Sequence, residues 1–205
     1  KEIAKQKTVG WIQGRMEFGP RALGGRSILA DPRSEKTQKE LNLKVKFRES
    51  FRPFAPSVLR EEVSDWFEID VDSPYMLYVS KLNPNKQIRA NEDNYVGLEK
   101  LKQIRSDIPA VTHVDYSARI QTVSKKTNKK FHSLIKNFFL KTGCPMLVNT
   151  SFNIRGEPIV NSPYDAYKCF MGTNIDALVI GNYFLEKKDQ SELNIKHYKN
   201  EYKLD

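Results

Sequence analysis

The strongest constraint on this 205-residue chain is a helix signal that runs straight into a strand signal between residues 129 and 150. Phe131, Leu134, Ile135, Phe138 and Phe139 fall at i, i+3, i+4, i+7 and i+8. That spacing puts one apolar stripe on a helix over residues 129–141. Gly143 stops the helix, Pro145 follows, and residues 146–150 read as an apolar strand. A helix with a single apolar stripe must bury it against another layer, and the adjoining strand points to a sheet.

The rest of the chain intermixes the same two periods. Residues 7–13 alternate as a strand, and 14–26 are loop-like, with Gly14, Gly19, Pro20, Gly24 and Gly25. Ser34 reads as the N-cap of a helix over 35–45. Strands are predicted at 54–59, Tyr75–Leu82, near 110–114 and 118–123, and Ala177–Phe184, with a short helix at 61–67. Residues 83–100 are polar and loop-like. Ser162 and Pro163 form an N-cap and N1 pair that opens a helix to about Met171. The class is therefore α/β, or α+β with a mixed sheet. From about Glu186 the tail is charged and weakly patterned. There is no internal repeat and no low-complexity block.

Composition narrows the partners. The formal net charge is +9, which favours anions: phosphates, nucleotides or nucleic acid. Lysine pairs such as Lys125-Lys126 read as a solvated face. The 11 arginines say more, because six lie between Arg15 and Arg52, and arginine grips a planar oxyanion at two points. No stretch approaches the roughly 18 apolar residues of a membrane span. The N-terminus, Lys1 to Lys7, has no secretory pattern and no starting Met, so the chain is expected to be cut from a longer one. Cys144 and Cys169 are the two cysteines. They cannot form a disulfide framework and are expected to pack rather than react, in a reducing cytoplasm.

Three clusters can carry chemistry. Gly14 to Ser27 interleaves Arg15, Arg21 and Arg26 with glycine, which suits close backbone approach to an anion. Its spacing echoes a P-loop, but Gly25 stands where the lysine belongs and Pro20 removes a donor, so it is not one. In Lys46-Phe47-Arg48-Glu49-Ser50-Phe51-Arg52, an extended chain would put Lys46, Arg48 and Arg52 on one face. Three cations there repel one another unless an anion or carboxylates sit between them; the alternative is a basic strand edge that blocks aggregation. The run Asn149 to Pro158 follows the apolar strand directly, and Thr150, Ser151 and Asn153 offer groups for phosphate or ribose at a strand end. The alternative there is a turn capped by its own side chains. His113 and Arg119 are further candidates for ligand contact, while His132, beside the apolar stripe, reads as structural. No two histidines have metal-ligand spacing, so no metal site is expected, and no Ser/His/Asp or Cys/His nucleophile can be argued.

Four segments carry a family resemblance: GRMEFGPRALGGRSILADPR (14–33), FRPFAPSVL (51–59), HVDYSARIQTV (113–123) and TGCPMLVNTSFNIRGEPIV (142–160). In this order they resemble the C-terminal region of NodU/CmcH-type O-carbamoyltransferases, over roughly Gly10 to Tyr183. A deeper similarity is to the YrdC-like fold, whose Lys-x-Arg motif matches Lys46-Phe47-Arg48. Its Thr-Ser-x-Asn and Gly-Glu-Pro motifs match Thr150, Ser151 and Asn153, then Gly156-Glu157-Pro158.

The resemblance implies an α/β, YrdC-like twisted open mixed sheet flanked by helices. It divides the chain into 1–13, a junction with a missing N-terminal domain; 14–185, the carbamoyltransferase C-terminal domain; and the tail 186–205. It implies that carbamoyl phosphate and ATP, with Mg²⁺ arriving on the ATP, form carbamoyl-adenylate on this domain. An actin-like companion domain, which carries its own metal through a His-x-x-x-His motif absent here, then passes the carbamoyl to an acceptor hydroxyl. Lys46, Arg48 and Arg52 are expected to hold phosphate and carbamoyl oxygens. Thr150, Ser151 and Asn153 would hold nucleotide phosphates or ribose, with Arg119, His113, Arg21 and Arg26 as additional binding residues. The competing classes are an RNA-binding YrdC-like module and a nucleotide-binding domain without turnover.

Overall fold

The computed structural model describes residues 1–89 and 97–191, together with Tyr198 and Tyr202. Eight strands form one mixed sheet in the order β4-β5-β3-β6-β2-β1-β7-β8, open at both edges. They are β1 Val9–Ile12, β2 Arg26–Ala30, β3 Ala55–Leu59, β4 Tyr78–Lys81, β5 Ser117–Val123, β6 Met146–Ser151, β7 Ala177–Ile180 and β8 Tyr183–Glu186. The pairs β1–β7 and β3–β5 are parallel and the other five antiparallel. The helices are α1 Glu35–Lys44, α2 Val63–Trp66, α3 Lys129–Thr142 and α4 Pro163–Gly172. The expected α/β class with a twisted open mixed sheet thus holds. No helix among the described residues is long and apolar enough to cross a membrane.

The caps behave as their residue types require. Ser34 accepts from the Lys36 amide at the start of α1. Ser162 and Asp165 form a reciprocal capping box on α4, with Pro163 at the first helical position. Gly143 ends α3 at φ 72°, a left-handed conformation that glycine adopts without penalty. The α3 stripe is buried at Phe131, Ile135 and Phe138 and packs on β3 and β6, while α4 packs on β1 and β7. Burying a side chain the size of Phe131 is worth about 1.5–3 kcal/mol. Phe131 also fixes the glycine-rich loop: a Cβ on Gly24, at φ 105°, would lie 2.4 Å from its ring.

Four sequence expectations need correction. Arg26, placed at the end of the loop 14–26, instead opens β2, a strand that was not predicted and that lies inside the sheet with every residue buried. The strand expected near 110–114 is a 3₁₀ turn, Pro109–Val111, where Thr112 N bonds Pro109 O. The strand expected from Tyr75 begins only at Tyr78, because Met76 sits at φ 55° and breaks the extended run. The strand expected over 177–184 is the hairpin β7–β8, turned at Gly181 with φ 59°. The stretches 83–100 and 186–205 lie partly outside the described residues. β1, within the segment 1–13, sits between β2 and β7, and β8 runs to Glu186.

Candidate functional site

Four adjacent strands present side chains at one level of the sheet. Val79 pairs with Arg119 across β4–β5, and Ala55 with Asn149 across β3–β6. Ser57 pairs with Gln121 in the parallel β3–β5 ladder, which sets Ala55 level with Arg119. Above this row opens a cleft of about 440 Å³, within the range of small-ligand sites. The turn after α1 supplies Lys46, Arg48, Arg52 and Phe54, and the glycine-rich loop supplies Pro20, Arg21 and Ala22. His113, Thr150, Ser151 and Met76 complete most of the wall. Five lining residues are Lys or Arg and none is Asp or Glu.

The cations after α1 are not arranged as on an extended strand. Lys46 N returns to Leu41 O at 2.8 Å and Arg48 N to Asn42 O at 3.0 Å, so the chain is still closing the helix end. Phe47 adopts φ 48°, an uncommon left-handed conformation for a bulky residue, and packs against the core. This turn, rather than strand alternation, brings Lys46 and Arg48 together.

Lys46 is buried, and its Nζ lies among four oxygens: Ser151 O at 2.8 Å, Ser151 Oγ at 3.2 Å, Asn153 O at 2.8 Å and Asn153 Oδ1 at 2.6 Å. Burial, and next the Arg48 guanidinium, push its pKa down to about 7. Arg48 is itself lowered by burial and by Arg52. Its Nε donates to Asn42 Oδ1 at 2.6 Å, and its guanidinium stacks over Phe54, 5.0 Å from the ring centre. Arg52 pairs with Glu49 at 3.1 Å on the surface. Burial holds the half-buried His113 below the ordinary histidine range; Asp115 opposes this and Arg119 reinforces it. Arg21 and Arg119 are exposed, and their side chains hold no hydrogen bond or ion pair with another described residue.

The structure thus brings together Arg21, Lys46, Arg48, Arg52, His113, Arg119, Thr150 and Ser151. Asn153 sits behind the cleft, in the oxygen cage of Lys46. Arg26 lies apart from the cleft. Its guanidinium is buried and spent on carbonyls: Asn161 O at 3.0 and 3.1 Å, Gly14 O at 3.1 Å and Gly25 O at 3.2 Å. The backbone amides of Leu23 to Arg26 are also spent. Glu17 Oε1 accepts from Leu23 N at 2.7 Å and Gly25 N at 2.6 Å, with Arg26 N at 3.4 Å. An internal carboxylate fills the place where an incoming anion was expected. What the loop offers the cleft is Arg21.

Sequence reasoning missed the amide network beneath the cleft. Asn149 Nδ2 reaches Ala22 O at 3.1 Å and Gln121 Oε1 at 2.9 Å, and Gln121 Nε2 donates to Leu23 O at 2.9 Å. These buried side chains tie the Arg21 loop to β5 and β6. Asn149 adjoins Thr150 in the strand-end run, which was the available signal; Gln121 carried none. Of Phe47, Phe51 and Phe54, only Phe51 is exposed, which leaves little to stack a nucleobase. His132 is buried on α3 with Nε2 at 2.9 Å from Glu61, a structural contact as expected. Both cysteines are buried, and burial pushes the Cys144 thiol up to about 12 and raises that of Cys169. Among the described residues no group of three or more His, Cys, Asp or Glu can hold a metal ion.

The family described as Carbamoyltransferase C-terminus matches residues 1–187. An uncharacterized protein of Synechocystis is 55% identical over 93% of the chain and 31% of its own length. Nodulation protein NolO of Bradyrhizobium diazoefficiens is 44% identical over 92% of the chain and 32% of its own. A 3'-hydroxymethylcephem-O-carbamoyltransferase of Amycolatopsis lactamdurans is 35% identical over 91% of the chain and 32% of its own. The chain therefore spans about a third of the length of these relatives, in the part that aligns with their shared sequence, and it belongs to the carbamoyltransferase C-terminus family.

Proposed function

We propose that this chain is the adenylate-forming portion of an O-carbamoyltransferase. The observation that carries this reading is a cleft lined by Arg21, Lys46, Arg48, Arg52 and Arg119 with no carboxylate among its lining residues. Cations packed this closely repel one another; burial is the main reason the pKa values of Lys46 and Arg48 are depressed, and the neighbouring guanidinium of Arg48 or Arg52 adds to it. A ligand with several negative charges relieves that repulsion. Carbamoyl phosphate and ATP together are such a ligand.

The chemistry needs alignment and charge neutralisation rather than a protein nucleophile. Loss of inorganic phosphate from carbamoyl phosphate, with uptake of one water, leaves carbamate. A carbamate oxygen attacks the α-phosphorus of ATP, the bond to the β-phosphate breaks, and pyrophosphate leaves. In this scheme Arg21 and Arg119, exposed and with side chains unpartnered among the described residues, take phosphate oxygens. Arg48 and Arg52 take the second anion, and Thr150 offers its hydroxyl at the strand end. Lys46 holds Ser151 and Asn153 in place and adds its charge from below. Mg²⁺ enters on the triphosphate, since the cleft offers it no carboxylate. A companion domain of a longer protein would then pass the carbamoyl group to the hydroxyl of a separate acceptor molecule.

Exchange of labelled pyrophosphate into ATP, with and without carbamoyl phosphate, tests the reading. Exchange that requires carbamoyl phosphate is expected. ATP binding without exchange in any condition reduces the chain to a nucleotide-binding domain. RNA retention with a steep salt dependence, and no ATP binding, replaces the proposal with the nucleic-acid class.

A further inference from the structure

The loop that cages Lys46 is itself held from behind. Asn153 Nδ2 donates to the backbone oxygen of Glu157 at 2.6 Å, and Glu157 Oε2 accepts from Ile154 N at 2.8 Å. The Glu157 side chain is buried, so its second oxygen needs a donor too. That donor comes from the far end of the chain: the Tyr198 hydroxyl bonds Glu157 Oε1. Tyr198 is 2% exposed although it lies in a stretch whose sequence reads as charged tail. Its ring fills the space above Gly172, where a Cβ would come within 2.4 Å of it. Tyr202 meets the ring edge-on and Lys168 lies over its face. Tyr198 also lies beyond the family match, which ends at residue 187.

We propose that Tyr198 is a positioning residue for the cleft: it fixes Glu157, and through Glu157 the 153–157 loop whose Asn153 cages Lys46. The inference rests on the anion cleft proposed above. The hydrogen bonds run without a gap from Tyr198 to Glu157, from Glu157 to Ile154 and Asn153, and from Asn153 to Lys46. Burial, with Cys169 and Glu157 beside it, raises the Tyr198 pKa, so the phenol remains a donor at every working pH. Among the described residues, Cys169, Tyr202 and Lys46 are the other titratable groups that act on Glu157.

Tyr198→Phe keeps the ring in its slot and removes only the donor. Two readouts on the full chain test the inference: hydrogen exchange of the Ile154 and Glu157 amides, and the dissociation constant for pyrophosphate. We expect exchange at 154–157 to quicken about tenfold and pyrophosphate affinity to fall about fivefold, with Tm lower by a few degrees because a buried carboxylate oxygen loses its donor. Glu157→Gln should reproduce both effects and carries the test if Tyr198→Phe melts early. Unchanged exchange at 154–157 overturns the link between tail and loop. Faster exchange with unchanged affinity overturns the claim that this link serves the cleft. A wild-type chain that binds no pyrophosphate removes the proposed function and this inference with it, and the exchange data still show whether the tail holds the loop.

Discussion

The floor and the rim of the cleft carry the same charge and treat it in opposite ways. On the floor, the Lys46 ammonium has three protons and four oxygens within reach, all from Ser151 and Asn153. On the rim, Arg21 and Arg119 are exposed and reach no acceptor among the described residues. A cation whose donors are all used can shape a site and contribute field, but it has no spare hydrogen bond for a ligand. A cation with its fork open can bind. The cleft therefore divides labour between a buried charge that orders backbone and exposed charges that meet substrate.

The largest expected effect breaks the floor. Lys46→Ala removes the ammonium from the carbonyl oxygens of Ser151 and Asn153, while the Ser151 hydroxyl still donates to Asn153 Oδ1 at 2.7 Å. We expect a loss of about 3 kcal/mol in stability, read from denaturant unfolding, because two partly buried carbonyls lose charged hydrogen bonds and the buried lysine stem leaves a void. Pyrophosphate binding should fall about 100-fold as the strand end loses order and one positive charge disappears. If Lys46→Ala is as stable as wild type and loses only binding, Lys46 acts as a direct ligand and the division between floor and rim collapses.

The rim should answer differently. Arg119→Ala removes a side chain with no hydrogen bond or ion pair to another described residue, so stability should move by no more than about 0.5 kcal/mol. Pyrophosphate affinity should still drop about 10- to 100-fold, the worth of a charged hydrogen bond to phosphate. Isothermal titration alongside a melting curve separates the two quantities. A fall in Tm of many degrees would show that Arg119 holds structure and belongs with Lys46.

This division also marks how far the sequence could be read. The residues around the cleft were legible, because Lys46-Phe47-Arg48, Thr150-Ser151 and His113 to Arg119 sit in motifs and at strand ends. Whether a cation is spent or open was not legible. Arg21 and Arg26 stand five residues apart in one glycine-rich run, yet one lines the cleft and the other is buried against the carbonyls of Gln13, Gly14, Gly25 and Asn161. The difference is set by Asn161 and Gly14, whose carbonyls reach Arg26 only after β2 has paired with β1 and β6. Glu17 escaped notice for the same reason, since a lone carboxylate in a basic loop gives no sign that it will cap three amides. In the fold, helices with caps and stripes were read correctly. β2 was missed because it opens with the polar pair Arg26-Ser27, and tertiary contacts rather than hydropathy bury both.

Proton linkage gives the smallest expected effect and the one that separates the floor's two duties by sign. The Lys46 pKa is about 7 in the folded chain against an ordinary 10.5. Between those values the unfolded chain binds more protons than the folded one, so stability rises with pH by at most about 1.4 kcal/mol per unit. Anion binding runs the other way. A polyanion above Lys46 favours the ammonium, so the bound form takes up a proton, and affinity falls as pH rises past about 7. The groups around Lys46 that can modify the slope are Arg48, Glu157 and Cys169. From pH 7 to 8, below the ordinary thiol range, denaturant unfolding should show a rising stability while pyrophosphate affinity drops about fivefold. The affinity change should shrink to about twofold in Lys46→Met, which has no proton to exchange, while Arg119→Ala should keep the full pH slope at its weaker affinity. Stability and affinity that move together would mean that the titrating group is not the buried lysine, and the contrast between a floor that orders and a rim that binds would lose its electrostatic basis.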